Sequence, residues 1–142
     1  MSDKAADRRT DVFFYGLYMD PDILINLGVE PRHPRTAAIH DHVLRIGRQA
    51  TLEPRPDAQA FGMLYSLTQS DMDLLYGQPG LEGYRAEPVL ARTLHGDAVP
   101  ATSYVLSQPP DEDEEPNHDY VKALHTTLTR MGLPLPTESS GS

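Results

Sequence analysis

The stretch Asp11-Val12-Phe13-Phe14-Tyr15-Gly16-Leu17-Tyr18-Met19-Asp20-Pro21-Asp22 decides how the chain is read. After Asp11, the four residues Val12 to Tyr15 are β-branched or aromatic, the composition of a buried or half-buried strand, and Gly16 cuts the run off. The pattern then changes period. Asp20 suits a helix N-cap, Pro21 its first turn and Asp22 the positive end of its dipole, and Gly28 closes the helix after Ile23, Leu24, Ile25 and Leu27. A short helix is therefore expected at about 21 to 27, too short to stand without a sheet beneath it. A strand that stops, turns and feeds a helix leaves backbone N–H groups directed into a common space, where a carboxylate or phosphate is readily held.

Outward from this unit, Thr36 to Ile46 reads as a strand, Ala50-Thr51-Leu52 as a short edge strand and Ala58 to Leu67 as another strand. Within the last, Gly62 signals a bulge or a close backbone approach. Thr68 with Asp71 three residues on is a capping-box variant, and Met72, Leu75 and Tyr76 form the core face of the helix that follows, closed by Gly77. Arg85 to Leu94 and Ala98 to Leu106 read as antiparallel strands joined through His95-Gly96-Asp97. Residues 107–116, with the acidic run Asp111 to Glu115, read as an exposed linker. Asn117 then caps a last helix at about 117 to 131, in which Tyr120, Val121, Leu124, Leu128 and Met131 recur at helical spacing. Residues 1–10 read as a disordered leader, 11–134 as a single domain and 135–142 as a frayed tail. The fold class expected is α+β: a small mixed β-barrel, or a curled and mostly antiparallel sheet, with two or three flanking helices.

Composition removes several functions. With 12 Lys plus Arg against 21 Asp plus Glu the formal charge is −9, which disfavours nucleic acid as a partner. The chain has no cysteine, so disulfides, thiolate nucleophiles and cysteine-held zinc are excluded. No window reaches about 18 apolar residues, so no membrane helix is expected. The start of the chain lacks the apolar stretch of a secretory signal, and a cytoplasmic location is expected by elimination. No cofactor fingerprint occurs, because the glycines are scattered singly. His40-Asp41-His42 places two imidazoles on one strand face, but without a third ligand at a convincing spacing it reads as a solvated face, and no metal site is expected. No serine stands in a nucleophile elbow. Among the carboxylates, Glu82 lies in the Gly-flanked loop Gln78 to Tyr84 and is the best-placed general base, ahead of Glu53 beside Pro54. A homodimer is compatible with a domain of this size, and no residue pattern specifies one.

Phe13-Phe14-Tyr15-Gly16-Leu17-Tyr18-Met19 resembles the opening strand and Tyr-Gly-Ser/Thr-Leu-Met turn of the gamma-glutamylcyclotransferase-like family. The resemblance continues through Phe61-Gly62-Met63-Leu64-Tyr65-Ser66-Leu67, Ser70-Asp71-Met72-Asp73-Leu74-Leu75, Tyr84 to Val89, and Ala101-Thr102-Ser103-Tyr104-Val105. It covers about residues 11 to 106. It implies a small mixed barrel with flanking helices and a carboxylate-bearing small-molecule ligand, a gamma-glutamyl amine, amide or peptide. The substrate's own α-amine would attack its γ-carbonyl and release 5-oxoproline. The implied substrate-binding residues are Tyr15, Gly16, Leu17 and Tyr18 at the turn, with Gln78, Tyr84 and Tyr104 opposite. Three positions depart from the family pattern. Leu17 stands where a hydroxyl residue is usual and Tyr18 where Leu is. Gln78-Pro79 stands where the family carries its proton-transferring glutamate, and neither residue has a proton-accepting charge at neutral pH. Glu82, three or four residues further on, is the candidate replacement. The alternative is a catalytically silent or diverged relative that keeps the pocket as a carboxylate or anion binder. A third reading makes the acidic run or the last helix a protein-contact surface.

Overall fold

A computed structural model describes residues 9–133 of the 142-residue chain, apart from 48, 80, 82, 109 and 111–113. Five strands form a closed barrel in the order β1-β3-β2-β4-β5. They are β1 (Arg9–Phe14), β2 (Arg32–Ile46), β3 (Ala50–Thr68), β4 (Tyr84–Thr93) and β5 (Ala98–Leu106). Every pairing is antiparallel except the one that closes the barrel, β1 beside β5, where Val12 stands opposite Thr102. The Ser103 hydroxyl reinforces that closure by donating to the Phe13 carbonyl at 3.1 Å. The mixed barrel with three helices is the α+β architecture the sequence implies.

The helices form where local chemistry directs them. In α1 (Pro21–Asn26) the Asp20 carboxylate accepts from the Asp22 amide, and Pro occupies the first turn. In α2 (Gln69–Tyr76) both halves of the capping box form, Asp71 N–H to the Thr68 hydroxyl and Thr68 N–H to the Asp71 carboxylate. In α3 (His118–Met131) Asn117 is the cap, and Gly132, at φ 73°, ends the helix in the left-handed conformation that glycine adopts without penalty. The strand β1 begins two residues earlier than the leader boundary expected at residue 10, because Arg9 and Thr10 pair with Thr68 and Leu67. The remaining leader, the acidic residues 111–113 and the tail after 133 lie outside the described residues.

The larger difference lies in the middle of the chain. The two strands expected at 50–52 and 58–67 belong to one element, β3, paired with β2 on both sides of an irregularity. His40 pairs with Gln59 and His42 with Pro54, so four residues of β3 oppose Asp41 alone. Asp41 (φ 60°) and Asp57 (φ 66°) carry the bend, and the Asp57 amide donates to the Asp41 carboxylate at 3.0 Å. Pro54 and Pro56 are tolerated because this part of the strand is exposed. The register shifts between His40 and His42, and no cluster of three metal-binding side chains occurs among the described residues.

Two groups of buried side chains fill the structure. One, including Phe13, Ile39, Leu52, Leu64 and Val105, is contributed by the barrel strands; the other, including Phe14, Met19, Leu24, Leu75, Leu124 and Leu128, joins the barrel to the helices. Gly62 sits beneath β1 in unbroken register with Ala37, so it marks a close approach and not a bulge. A methyl group there would lie 2.8 Å from the Phe13 ring and closer still to the Phe14 carbonyl oxygen. Backbone cannot yield as a side chain can. Gly62→Ala is expected to destabilise the protein by about 1–3 kcal/mol or to prevent folding, measured by urea unfolding.

Candidate functional site

The chain leaves β1 at Phe14, passes Tyr15 and Gly16, and makes one 3₁₀ turn over Leu17–Met19 before α1. The turn closes by two bonds, Met19 N–H to Gly16 C=O at 3.0 Å and Asp20 N–H to Leu17 C=O at 3.1 Å. Two further contacts fix it from outside. The Tyr65 hydroxyl, on β3, donates to the Met19 carbonyl at 2.6 Å, and the Leu17 amide donates to the Tyr120 hydroxyl of α3 at 3.3 Å. The amides of Gly16 and Tyr18 have no intramolecular acceptor among the described residues.

Beside this turn opens a cavity of about 310 Å³. It is lined from β1 and the turn by residues 13–18, from the β2–β3 connection by Gln49 and Ala50, from the end of α2 by Tyr76, and further by Leu81, Tyr84, Tyr104 and Tyr120. The walls are thus mostly aromatic. Tyr76 stacks on Tyr104 with ring centroids 3.7 Å apart and 11° between planes, and meets Tyr18 edge-on at 6.2 Å. Edge contacts of the second kind are a favourable geometry for aromatic pairs.

The phenols divide by what their hydroxyls do. Tyr15 donates to the Tyr104 carbonyl at 2.7 Å and Tyr84 to the Ala50 carbonyl at 2.5 Å, so each ring is tied to the backbone of another strand at the barrel mouth. Burial makes every one of these phenols less acidic. Tyr15 and Tyr76 lie well above the usual phenol range, chiefly through desolvation and then through neighbouring phenols, and Tyr84, Tyr18, Tyr104 and Tyr120 are also raised, desolvation first. The phenols therefore stay protonated at neutral pH and serve as uncharged donors in a dry, polarisable enclosure.

Six of the seven expected binding residues, Tyr15, Gly16, Leu17, Tyr18, Tyr84 and Tyr104, come together on this cavity. Gln78 is not among its lining residues. Its side-chain amide donates to the Leu74 carbonyl at 3.0 Å, occupying an otherwise open acceptor at the C-terminal end of α2. Glu82 lies outside the described residues, between Leu81, which lines the cavity, and Gly83. The helical spacing reads Tyr76 and Tyr120 as core positions, and both pack against the core while also lining the cavity. Nothing in the spacing separates a buried wall from a cavity wall; their hydroxyls, on otherwise apolar helix faces, are the only sequence signal.

The seat of the turn is electrostatic. Asp20 is only 6% exposed, caps α1 and is bonded by Arg130 from the last turn of α3. The Arg130 hydrogen bond holds the Asp20 carboxyl below the usual range; burial opposes this and the Asp22 amide adds to it.

No family profile and no curated protein matches the sequence, whereas solved structures match the fold closely. A gamma-glutamyl cyclotransferase superposes with a TM-score of 0.74 at 19% identity, over 95% of this chain and 93% of its own. An uncharacterised human protein, loc79017, gives 0.74 at 22%, over 90% and 83%. An aig2-like protein from Mus musculus gives 0.61 at 15%, over 93% and 98%. At these identities the likeness defines the fold, and the fold is the gamma-glutamylcyclotransferase-like one.

Because the folded carboxyl of Asp20 is more acidic than an unfolded one, its stabilising effect is complete above the ordinary Asp range and is lost as pH falls through the folded value. Asp20→Ala is expected to cost about 0.5–2 kcal/mol at pH 7 from the lost cap. In urea titrations the difference between wild type and variant should shrink on acidification below about pH 4.

Proposed function

We propose that the cavity takes a small gamma-glutamyl amine, amide or peptide and releases 5-oxoproline from it. The observation that carries this reading is the pair of amides, Gly16 and Tyr18, unpartnered among the described residues, in residues that line an aromatic cavity in a gamma-glutamylcyclotransferase-like fold. A carboxylate placed on those amides would exchange water for two fixed donors, as anions do at other clustered backbone N–H groups. The aromatic walls suit the methylene chain of the glutamyl group and a folded-back conformation, which is most of what an intramolecular reaction requires.

In the reaction the α-amine nitrogen bonds to the γ-carbonyl carbon, the bond from that carbon to the leaving amine breaks, and one proton passes from the attacking to the leaving nitrogen. Glu82 is assigned that proton transfer. It follows Leu81 on the cavity wall and is the carboxylate nearest in sequence to the lining residues of this loop. Protonated phenols are suitable donors to the oxyanion that develops on the γ-carbonyl oxygen.

One observation favours a second reading. Among the described residues that line the cavity there is no carboxylate, which suits a binding module that keeps the ligand without turning it over. Incubation with a panel of gamma-glutamyl amino acids and gamma-glutamyl amines, read by chromatographic detection of 5-oxoproline, separates the two. The proposal expects release that Glu82→Gln lowers by about 10²–10⁴-fold. Release unaffected by Glu82→Gln removes the assignment, and saturable binding without release establishes the second reading.

A further inference from the structure

Tyr76 is the last residue of α2, and the chain turns away immediately after it. Gly77 permits that turn: its amide donates to the Asp73 carbonyl at 2.9 Å, and a Cβ there would lie 2.8 Å from the same oxygen. Buried Met72 and Leu75 seat the helix in the core, so the ring is delivered by a packed element. Its position is set from three sides, by Tyr104 stacked at 3.7 Å, Tyr18 edge-on at 6.2 Å and Tyr84 tilted at 6.4 Å. Tyr18 belongs to the turn and Tyr84 follows the loop that carries Glu82. Tyr76 therefore stands between the proposed seat of the carboxylate and the loop of the proposed proton-transfer group.

The ring is held, but its hydroxyl is not. Tyr15 and Tyr84 donate to backbone carbonyls and Tyr120 accepts from Leu17, whereas the Tyr76 hydroxyl has no hydrogen-bond partner among the described residues. Tyr18 and Tyr104 also lack one, but Tyr104 lies in the field of Asp73, on the exposed face of α2, and only desolvation acts on Tyr18. The Tyr76 phenol is made less acidic by burial first, and then by the phenols of Tyr15, Tyr18, Tyr104 and Tyr84. No carboxylate or cation among the described residues lines the cavity around it. It is thus an uncharged donor, enclosed among other uncharged phenols, with its proton free to give.

We infer that Tyr76 is a catalytic residue of the proposed reaction: its hydroxyl donates a hydrogen bond to the oxyanion that forms on the γ-carbonyl oxygen. The inference rests on the proposed release of 5-oxoproline. As the α-amine nitrogen bonds to the γ-carbon, the π electron pair of the carbonyl moves onto its oxygen, and it returns when the bond to the leaving amine breaks. The phenol binds that transient charge and keeps its own proton, so the transfer between the two nitrogens stays with Glu82. A donor fixed by three rings in a site of low polarity is worth more to the developing oxyanion than to the ground-state carbonyl, which is what accelerates the step.

Tyr76→Phe keeps the ring and removes only the oxygen. With a gamma-glutamyl substrate that wild type turns over, kcat for 5-oxoproline release is expected to fall about a hundredfold to a thousandfold, while KM changes by less than about threefold. An unchanged kcat, or a loss carried wholly by KM, overturns the inference and leaves the proposed reading standing; wild type that releases no 5-oxoproline overturns both. Replacing Tyr76 with 3-fluorotyrosine tests the donor while keeping the hydroxyl, and it decides the matter if the Phe variant does not fold. Fluorine makes the phenol more acidic, so a rate that needs the protonated phenol is lost at a lower pH. The alkaline fall of kcat should therefore move down in pH relative to wild type. An alkaline limb that does not move would contradict the donation, because a ring with a purely structural role does not sense the acidity of its own hydroxyl.

Discussion

Strand β1 has two neighbours of opposite sense, antiparallel β3 and parallel β5, and this double pairing makes a barrel of what would otherwise be a curled sheet. Closure removes both sheet edges and fixes where β1 must end. It also requires β1 and β3 to approach closely, which is possible because residue 62 has no side chain to separate the Phe13–Phe14 backbone from β3. The Gly16–Tyr18 turn is then the continuation of a strand bonded on both sides, so its amides are presented by one of the most constrained backbones in the molecule.

The rest of the site is arranged around that fixed turn. Tyr65 holds Met19 from β3, and Tyr120 and Arg130 hold Leu17 and Asp20 from the two ends of α3, so two distant elements converge on four consecutive residues, 17 to 20. The barrel mouth around it is held by two phenols, Tyr15 and Tyr84, bonded to carbonyls of β5 and β3. The result is a preorganised enclosure whose described walls carry donors without carrying charge. An anionic group entering it would meet fixed dipoles, and the low polarity around them would make each dipole count for more than it does in water.

Much of this was readable in the sequence where the determinants are local. The stop at Gly16, the Asp20-Pro21 start, the Thr68–Asp71 box and the Gly96 turn each depend on residues within about four positions, and each forms as expected. Long-range features were not readable in the same way. Pro54 and Pro56 look like strand breakers, yet β3 runs through them because the break in register at Asp41 and Asp57 accommodates the misfit in an exposed segment. Tyr76 and Tyr120 fit a helical core stripe and do pack against the core, and only the closed barrel decides that they also wall a cavity. Gln78, which with Pro79 stands where the resemblance implies a proton-transferring residue, bonds back to its own helix in space.

The central claim is that the anionic end of a ligand sits on the amides of Gly16 and Tyr18. Titrating ¹⁵N-labelled protein with 5-oxoproline while following backbone amide resonances tests it most directly. Saturable downfield proton shifts largest at Gly16 and Tyr18, with smaller changes elsewhere along the cavity, are predicted. Shifts that leave both amides unmoved while another surface responds would contradict it.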